Sequence, residues 1–235
     1  MMQWIPKLYK YKHISFDLWL TLIKSHPEFK THRNLLFKNY FAINKPIEEV
    51  AAIIRKFDIL TNSINEKVGR NFDTFEIYYL ILDALAVDIE TIDRPKLEDF
   101  YAQTHNLLLQ YKPVLLDNDI PQALQQLKAE GKTMNILSNT AFIKGSSLRK
   151  VLAHYGLDDV FNFQIYSDEA GFSKPSAGIY QHTYNNIAAI GTIAKNEVLH
   201  VGDNRISDYD GALAFGFDAH LIINAPVNEP NLQPA

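Results

Sequence analysis

The run Val198-Leu199-His200-Val201-Gly202-Asp203-Asn204-Arg205-Ile206-Ser207-Asp208 decides the fold. Its apolar opening reads as a buried strand over Glu197–Val201. Gly202-Asp203 then turns the chain toward a helix expected over Asp208–Phe215. A strand that ends in a carboxylate before a helix places oxygen ligands at the carboxyl edge of a parallel sheet, where open α/β sheets bind their ligands. A second such strand end lies near the other terminus. There Ile14 to Trp19 reads as a strand carrying Asp17, with Thr21 four residues beyond it.

Working outward, three regions appear. After the first strand, residues 25–111 read as helical throughout, with four amphipathic helices. Pro27, Pro46 and Pro95 open the first, second and fourth, since proline suits a first helical turn. Asp73 caps the third, and Gly69 breaks the pattern before it. The bundle's aromatic residues Phe37, Phe57, Phe75, Tyr78, Tyr79 and Phe100 are expected in its core rather than around a substrate. From about Pro113, helices alternate with strands: helices over Pro121–Glu130, Ala141–Tyr155 and Pro175–Ile190, strands over Thr133–Leu137, Phe161–Tyr166 and Ala219–Ile223. Such alternation implies an α/β fold, a Rossmann-like parallel sheet with helices on both faces. The expected division is a core of residues 11–24 and 112–226, with a four-helix insertion over residues 25–111 above the sheet's carboxyl edge.

Composition narrows the function. The chain has 235 residues, 47% hydrophobic and 21% charged, with a net charge of −4. That balance gives no reason to expect nucleic acid or an anionic membrane as partner. Cysteine is absent, which excludes disulfides, thiolate catalysis and cysteine-ligated zinc. No apolar run approaches a membrane span. Met1 to His13 carries Lys7, Lys10 and Lys12 without an apolar core behind them, so it does not read as a signal peptide, and a cytoplasmic location is expected. The tail from Ala225, with Pro226, Pro230 and Pro234, is expected to fray.

Four elements fall on one edge of the expected sheet: Asp17 with Thr21, then Ser138-Asn139, then Lys174, then Asp203 with Asp208. Each alone has an ordinary reading as a turn, a cap or a solvated charge. Their order and spacing resemble the haloacid dehalogenase-like hydrolase superfamily, and the helical insertion sits where that family carries its first type of cap. The resemblance implies that Asp17 is a nucleophile forming a covalent aspartyl intermediate. It implies a Mg2+ ion held by Asp17, the backbone carbonyl of Trp19 and Asp203, with Asp208 bound directly or through water. It makes Lys174 the bridge between the nucleophile and a phosphoryl group, and Ser138 with the adjacent amide of Asn139 donors to phosphoryl oxygens. Thr21 either orients the nucleophile loop or caps it. The implied substrate is a small phosphorylated molecule.

One position departs from the pattern. Phosphatases of this family carry a second Asp two residues after the nucleophile, which protonates the leaving oxygen and later activates water. This chain has Trp19 there. Indole donates one hydrogen bond and cannot cycle a proton. Family members that cleave carbon–halogen bonds also lack this Asp, but they generally lack the metal-site carboxylates too, whereas Asp203 and Asp208 are present here. Three readings remain at this point: a phosphatase without its usual acid, a 2-haloacid dehalogenase, and a catalytically silent binder of phosphorylated ligands. His26, Glu28 and His32 are candidate substitutes for the acid, though surface or hinge roles suit them better. Arg70 is a candidate for a substrate anion, with surface exposure the simpler reading.

Overall fold

Alternation along the strands builds the core. In β6 (Val198–Gly202), Leu199 and Val201 enter one hydrophobic cluster and Val198 another. In β4 (Thr133–Ser138), Met134 and Ile136 join the first and Leu137 the second. A period of two with both faces buried is the signature of a strand inside a parallel sheet. β1 (His13–Phe16) is buried along its whole length, and burying each such aliphatic or aromatic side chain contributes about 1.5–3 kcal/mol. The structure, a computed structural model, describes residues 8–223. The tail expected to fray lies outside the described residues.

With β5 (Phe163–Tyr166) and β7 (Asp218–Leu221), these strands form a five-stranded sheet in the order β5-β4-β1-β6-β7, with every pairing parallel. The α/β class and the parallel sheet expected from the alternation are therefore present. A two-stranded antiparallel ribbon, β2 (Ile23–Lys24) against β3 (Val114–Leu115), escapes the sequence reading because two residues per strand leave no periodic signal. It sets the chain entering the helical region beside the chain leaving it.

Between the ribbon strands lie α1 (Phe29–Tyr40), α2 (Ile47–Val68), α3 (Thr74–Ala84) and α4 (Arg94–Gln110). They share a hydrophobic cluster that buries Phe37, Phe75, Tyr78 and Phe100, with Phe57 and Tyr79 packed on it. Asp73 caps α3 in a reciprocal capping box with Glu76, as its position before an apolar run suggests. α1 starts two residues after Pro27, and Pro46 is the N-cap of α2. α4 starts at Arg94 with Pro95 in its first turn and the Asp93 side chain accepting from Lys96 N.

The sheet region adds α5 (Ile120–Ala129), α6 (Gly145–His154), the short α7 (Ser167–Ala170), α8 (Ala177–Ile190) and α9 (Gly211–Phe215). α6 begins four residues later than the periodicity predicts. Tertiary contact explains the difference. Phe142 leaves the helix register to stack on Tyr78 at 6.1 Å, and Thr74 Oγ1 donates to Ala141 O at 2.7 Å. The helix expected from Asp208 starts earlier, as a π-helical turn over Arg205–Asp210 that leads into α9.

One face of β1 is polar although buried. His13 bonds to Thr133 Oγ1 and Asn135 Oδ1, each at 2.8 Å, and Ser15 bonds to His200 at 3.0 Å. Burial, partly offset by the Asn135 bond, holds the His13 pKa down to about 4 against 6.5. Between those values the unfolded chain binds more protons than the native one, so His13 lowers stability as the pH falls from 6.5 toward 4. Denaturant titrations at pH 4 to 7 should show this loss, and His13→Gln should flatten it by up to about 3 kcal/mol. Equal pH slopes for the two proteins would contradict the assignment.

Candidate active site

β1 and β6 are neighbours in register, Phe16 opposite Val201, so the residues that follow them emerge side by side. Asp17 N still donates to Val201 O at 2.9 Å, which fixes the start of its loop against β6. Asp203 follows β6 directly. The π-turn folds Asp208 back onto this edge, and a carboxylate oxygen from each of Asp17, Asp203 and Asp208 lies within 4.8 Å of the others. Asn204 makes the turn possible: its side-chain oxygen accepts from Ile206 N and Ser207 N, and its own N–H donates to Asp208 Oδ2 at 2.9 Å. A π-turn of this kind recurs at functional sites because the wider turn re-aims a side chain.

Lys174 enters from the loop after α7. Its Nζ donates to Asp17 Oδ1 at 2.8 Å, to Asp208 Oδ1 at 2.6 Å and to Leu137 O at 2.7 Å. Thr21 Oγ1 donates to Asp17 Oδ2 at 3.2 Å, so both oxygens of Asp17 are held. Ser138 is fully buried at the end of β4, and its hydroxyl turns to Asn139 O at 3.3 Å. The Asn139 side chain is spent elsewhere: Oδ1 accepts from Lys174 N at 2.8 Å and Nδ2 donates to Lys174 O at 3.0 Å. It grips the lysine's backbone.

The electrostatics are unbalanced. Three carboxylates surround one ammonium. Burial, then Asp17 and Asp208, push the Asp203 pKa up to about 7. Burial also raises Asp17, with Lys174 opposing and Asp208 reinforcing the shift. For Asp208, burial is outweighed by Lys174 and His200, and its pKa falls well below the usual carboxylate range. Burial leads both upward shifts and the neighbouring carboxylates add to them, a repulsion that a cation would relieve. An all-oxygen donor set suits a hard divalent cation.

Some contributors were hidden in the sequence. His200 sits in an apolar run yet bonds to Asp208 Oδ1 at 3.1 Å and to Ser15, joining the sheet's polar face to the site. Its only signal is a polar residue within a buried strand. Tyr180 of α8 donates to Ser207 O at 2.6 Å and supports the same turn.

Residues 66–74 stitch the helical region to the segments that follow β4, β5 and β6. Glu66 Oε1 accepts from Ser207 Oγ at 2.7 Å and Asn204 Nδ2 at 2.8 Å. Gly69 O accepts from Ser173 N at 3.1 Å, Arg70 pairs with Phe172, and Asn71 Oδ1 accepts from Ser167 Oγ at 2.7 Å. Gly69 needs its lack of a side chain twice over, since its φ is +68° and a Cβ would stand 2.6 Å from Ser176 Cβ. Arg70 is exposed, with its backbone rather than its charge against the core. His26 and His32 pack around Tyr111, with ring centroids 5.5 and 4.3 Å from it. Glu28 is exposed, and Trp19 is half-buried against the cluster beneath β1.

The family model for haloacid dehalogenase-like hydrolases matches residues 11–216. The human haloacid dehalogenase-like hydrolase domain-containing protein 3 is 28% identical over 107 residues, 46% of this chain and 39% of its own. (S)-2-haloacid dehalogenase 4A of Burkholderia cepacia is 30% identical over 137 residues, 58% of this chain and 55% of its own. The chain thus spans about half the length of these relatives, or less. Among solved structures, the HAD-hydrolase YfnB of Bacillus subtilis bound to magnesium superposes with a TM-score of 0.64 at 17% identity, over 89% of this chain and 87% of that one. A HAD phosphatase of Thermococcus onnurineus gives 0.61 at 18% identity, over 94% and 90%. At these identities the two structures show likeness of fold.

Gly202 offers a test of the geometry. A Cβ there would stand 2.3 Å from Asp208 Cγ. Gly202→Ala should push Asp208 off Lys174 and cost about 1–3 kcal/mol in urea denaturation. Wild-type stability in that variant would contradict the close packing.

Proposed function

The chain belongs to the haloacid dehalogenase-like hydrolases, and from that membership we propose that it is a Mg2+-dependent phosphatase acting on a small phosphorylated molecule. The observation that carries this reading is the cluster in which Lys174 bridges Asp17 and Asp208 while Asp203 stands within 4.8 Å of both. Asp17, Asp203 and the Trp19 carbonyl would hold Mg2+, with Asp208 bound directly or through water. The ion would supply charge neutralisation and a template for phosphoryl oxygens.

The chain's own residues do the rest. Lys174 and Thr21 fix the Asp17 carboxylate for attack, and Lys174 offsets negative charge as it develops. An Asp17 oxygen bonds to phosphorus while the bond from phosphorus to the leaving oxygen breaks, its electron pair going to the leaving group. Water then adds to phosphorus, the bond to Asp17 breaks, and phosphate departs with the carboxylate restored. Ser138 Oγ and the Asn139 amide steady the phosphoryl oxygens. Residues 25–111 act as a cap over the sheet edge, excluding water and choosing the substrate.

Trp19 sets the substrate range. Without a general acid two residues beyond the nucleophile, basic alkoxide leaving groups lose the most, and acyl or aryl phosphates lose little. Acid–base catalysis is worth about 10²–10⁴ in rate. The B. cepacia dehalogenase among the relatives, together with Trp19, favours a second reading, 2-haloacid hydrolysis. The three-carboxylate cluster weighs against it, because halide departs without a metal.

The readings separate in one assay set: acyl, aryl and alkyl phosphates and a short haloacid, with and without Mg2+. Chelation and Asp17→Asn are each expected to remove more than about a thousandfold of aryl-phosphate turnover. Turnover that survives both refutes the proposal, and metal-independent halide release establishes the dehalogenase. Trp19→Asp should raise alkyl-phosphate turnover more than aryl turnover. An equal gain, or none, would reject the missing-acid argument.

A further inference from the structure

Glu66 lies in the last turn of α2, next to a site already crowded with negative charge. Among the described residues no lysine, arginine or histidine forms a salt bridge with it. What holds it is a pair of hydrogen bonds to one core segment, from Ser207 Oγ at 2.7 Å and Asn204 Nδ2 at 2.8 Å, both to Oε1. Asn204 immediately follows Asp203, and its N–H holds Asp208 Oδ2 at 2.9 Å. Ser207 immediately precedes Asp208 and is 4% exposed. The acceptor on α2 therefore grips Asn204, whose N–H holds the Asp208 carboxylate, and Ser207, the residue before Asp208. The two hydrogen bonds it accepts fix the Glu66 side chain against that segment.

We propose that Glu66 is a positioning residue, a clamp from the helical region that sets the Asn204–Ser207 turn and so makes cation affinity at Asp203 and Asp208 depend on docking of the two regions. The inference rests on the cation site proposed above and deepens it. Glu66 lies outside the cluster of Asp17, Asp203 and Asp208. It acts through Asn204 and Ser207, as outer hydrogen-bond partners orient metal ligands elsewhere. Substrate that draws the helical region onto the core would then tighten the cation site, and a filled cation site would favour the docked arrangement by the same factor.

The test compares wild type, Glu66→Ala and Glu66→Gln. Gln keeps the Oε1 acceptor and discards the charge. Two readouts apply: Mg2+ binding by calorimetry, and hydrogen exchange of residues 203–210 in the metal-free protein. Glu66→Ala should weaken Mg2+ about tenfold and speed exchange in that segment, while Glu66→Gln should stay within about twofold of wild type. Wild-type behaviour of Glu66→Ala in both readouts would overturn the proposal. Glu66→Gln as weak as Glu66→Ala would also overturn it, by making the residue a charge rather than a hydrogen-bonding clamp. If wild type itself binds no Mg2+, the function proposed above fails, and the exchange data still decide whether the clamp exists.

Discussion

A single ammonium, 2% exposed, stands between Asp17 and Asp208 and donates a third bond to the carbonyl that ends the apolar part of β4. Taking Lys174 out of water is costly, and its two carboxylates compensate for it. Deleting one partner of such a buried pair typically costs about 3–5 kcal/mol, since the other charge is left without its counterion. The loop after β1, the turn after β6 and the end of β4 are thereby tied to one atom. The position of Asp17 is a consequence of that tie as much as of its own strand.

The surrounding structure serves this arrangement. Parallel pairing of β1 with β6 brings Asp17 and Asp203 to one edge, and the π-turn returns Asp208 to meet them. Gly202 leaves the room that Asp208 fills. The polar face of β1 reaches the site as well, through Ser15 and His200 to Asp208. Lys174 nevertheless balances only part of the negative charge. The carboxylate oxygens of Asp17, Asp203 and Asp208 that converge within 4.8 Å at that edge are the physical reason to look for a divalent cation there.

Much of this was legible in the amino-acid order because strand ends and helix breaks leave local marks. Gly202-Asp203, the apolar run before it, Asp73 ahead of its helix, and Gly69 each act through their immediate neighbours. What stayed hidden depends on residues far apart in the chain. Phe142 leaves the expected α6 register because Tyr78 offers its ring, and the early start of the last helix depends on Asn204 capping a wider turn. The Asn139 side chain holds the Lys174 backbone 35 positions on, a pairing with no local mark. Glu66 carries no local signal, because its partners are more than 130 positions away.

The central claim is that the tips of β1 and β6 share one divalent cation beside the Lys174 bridge. Anomalous diffraction from crystals soaked in Mn2+ tests it directly. One peak is expected between the Asp17 and Asp203 carboxylates, within coordination distance of an oxygen of each. Saturated crystals with no peak at that edge, or with a peak out of reach of Asp17, would contradict it.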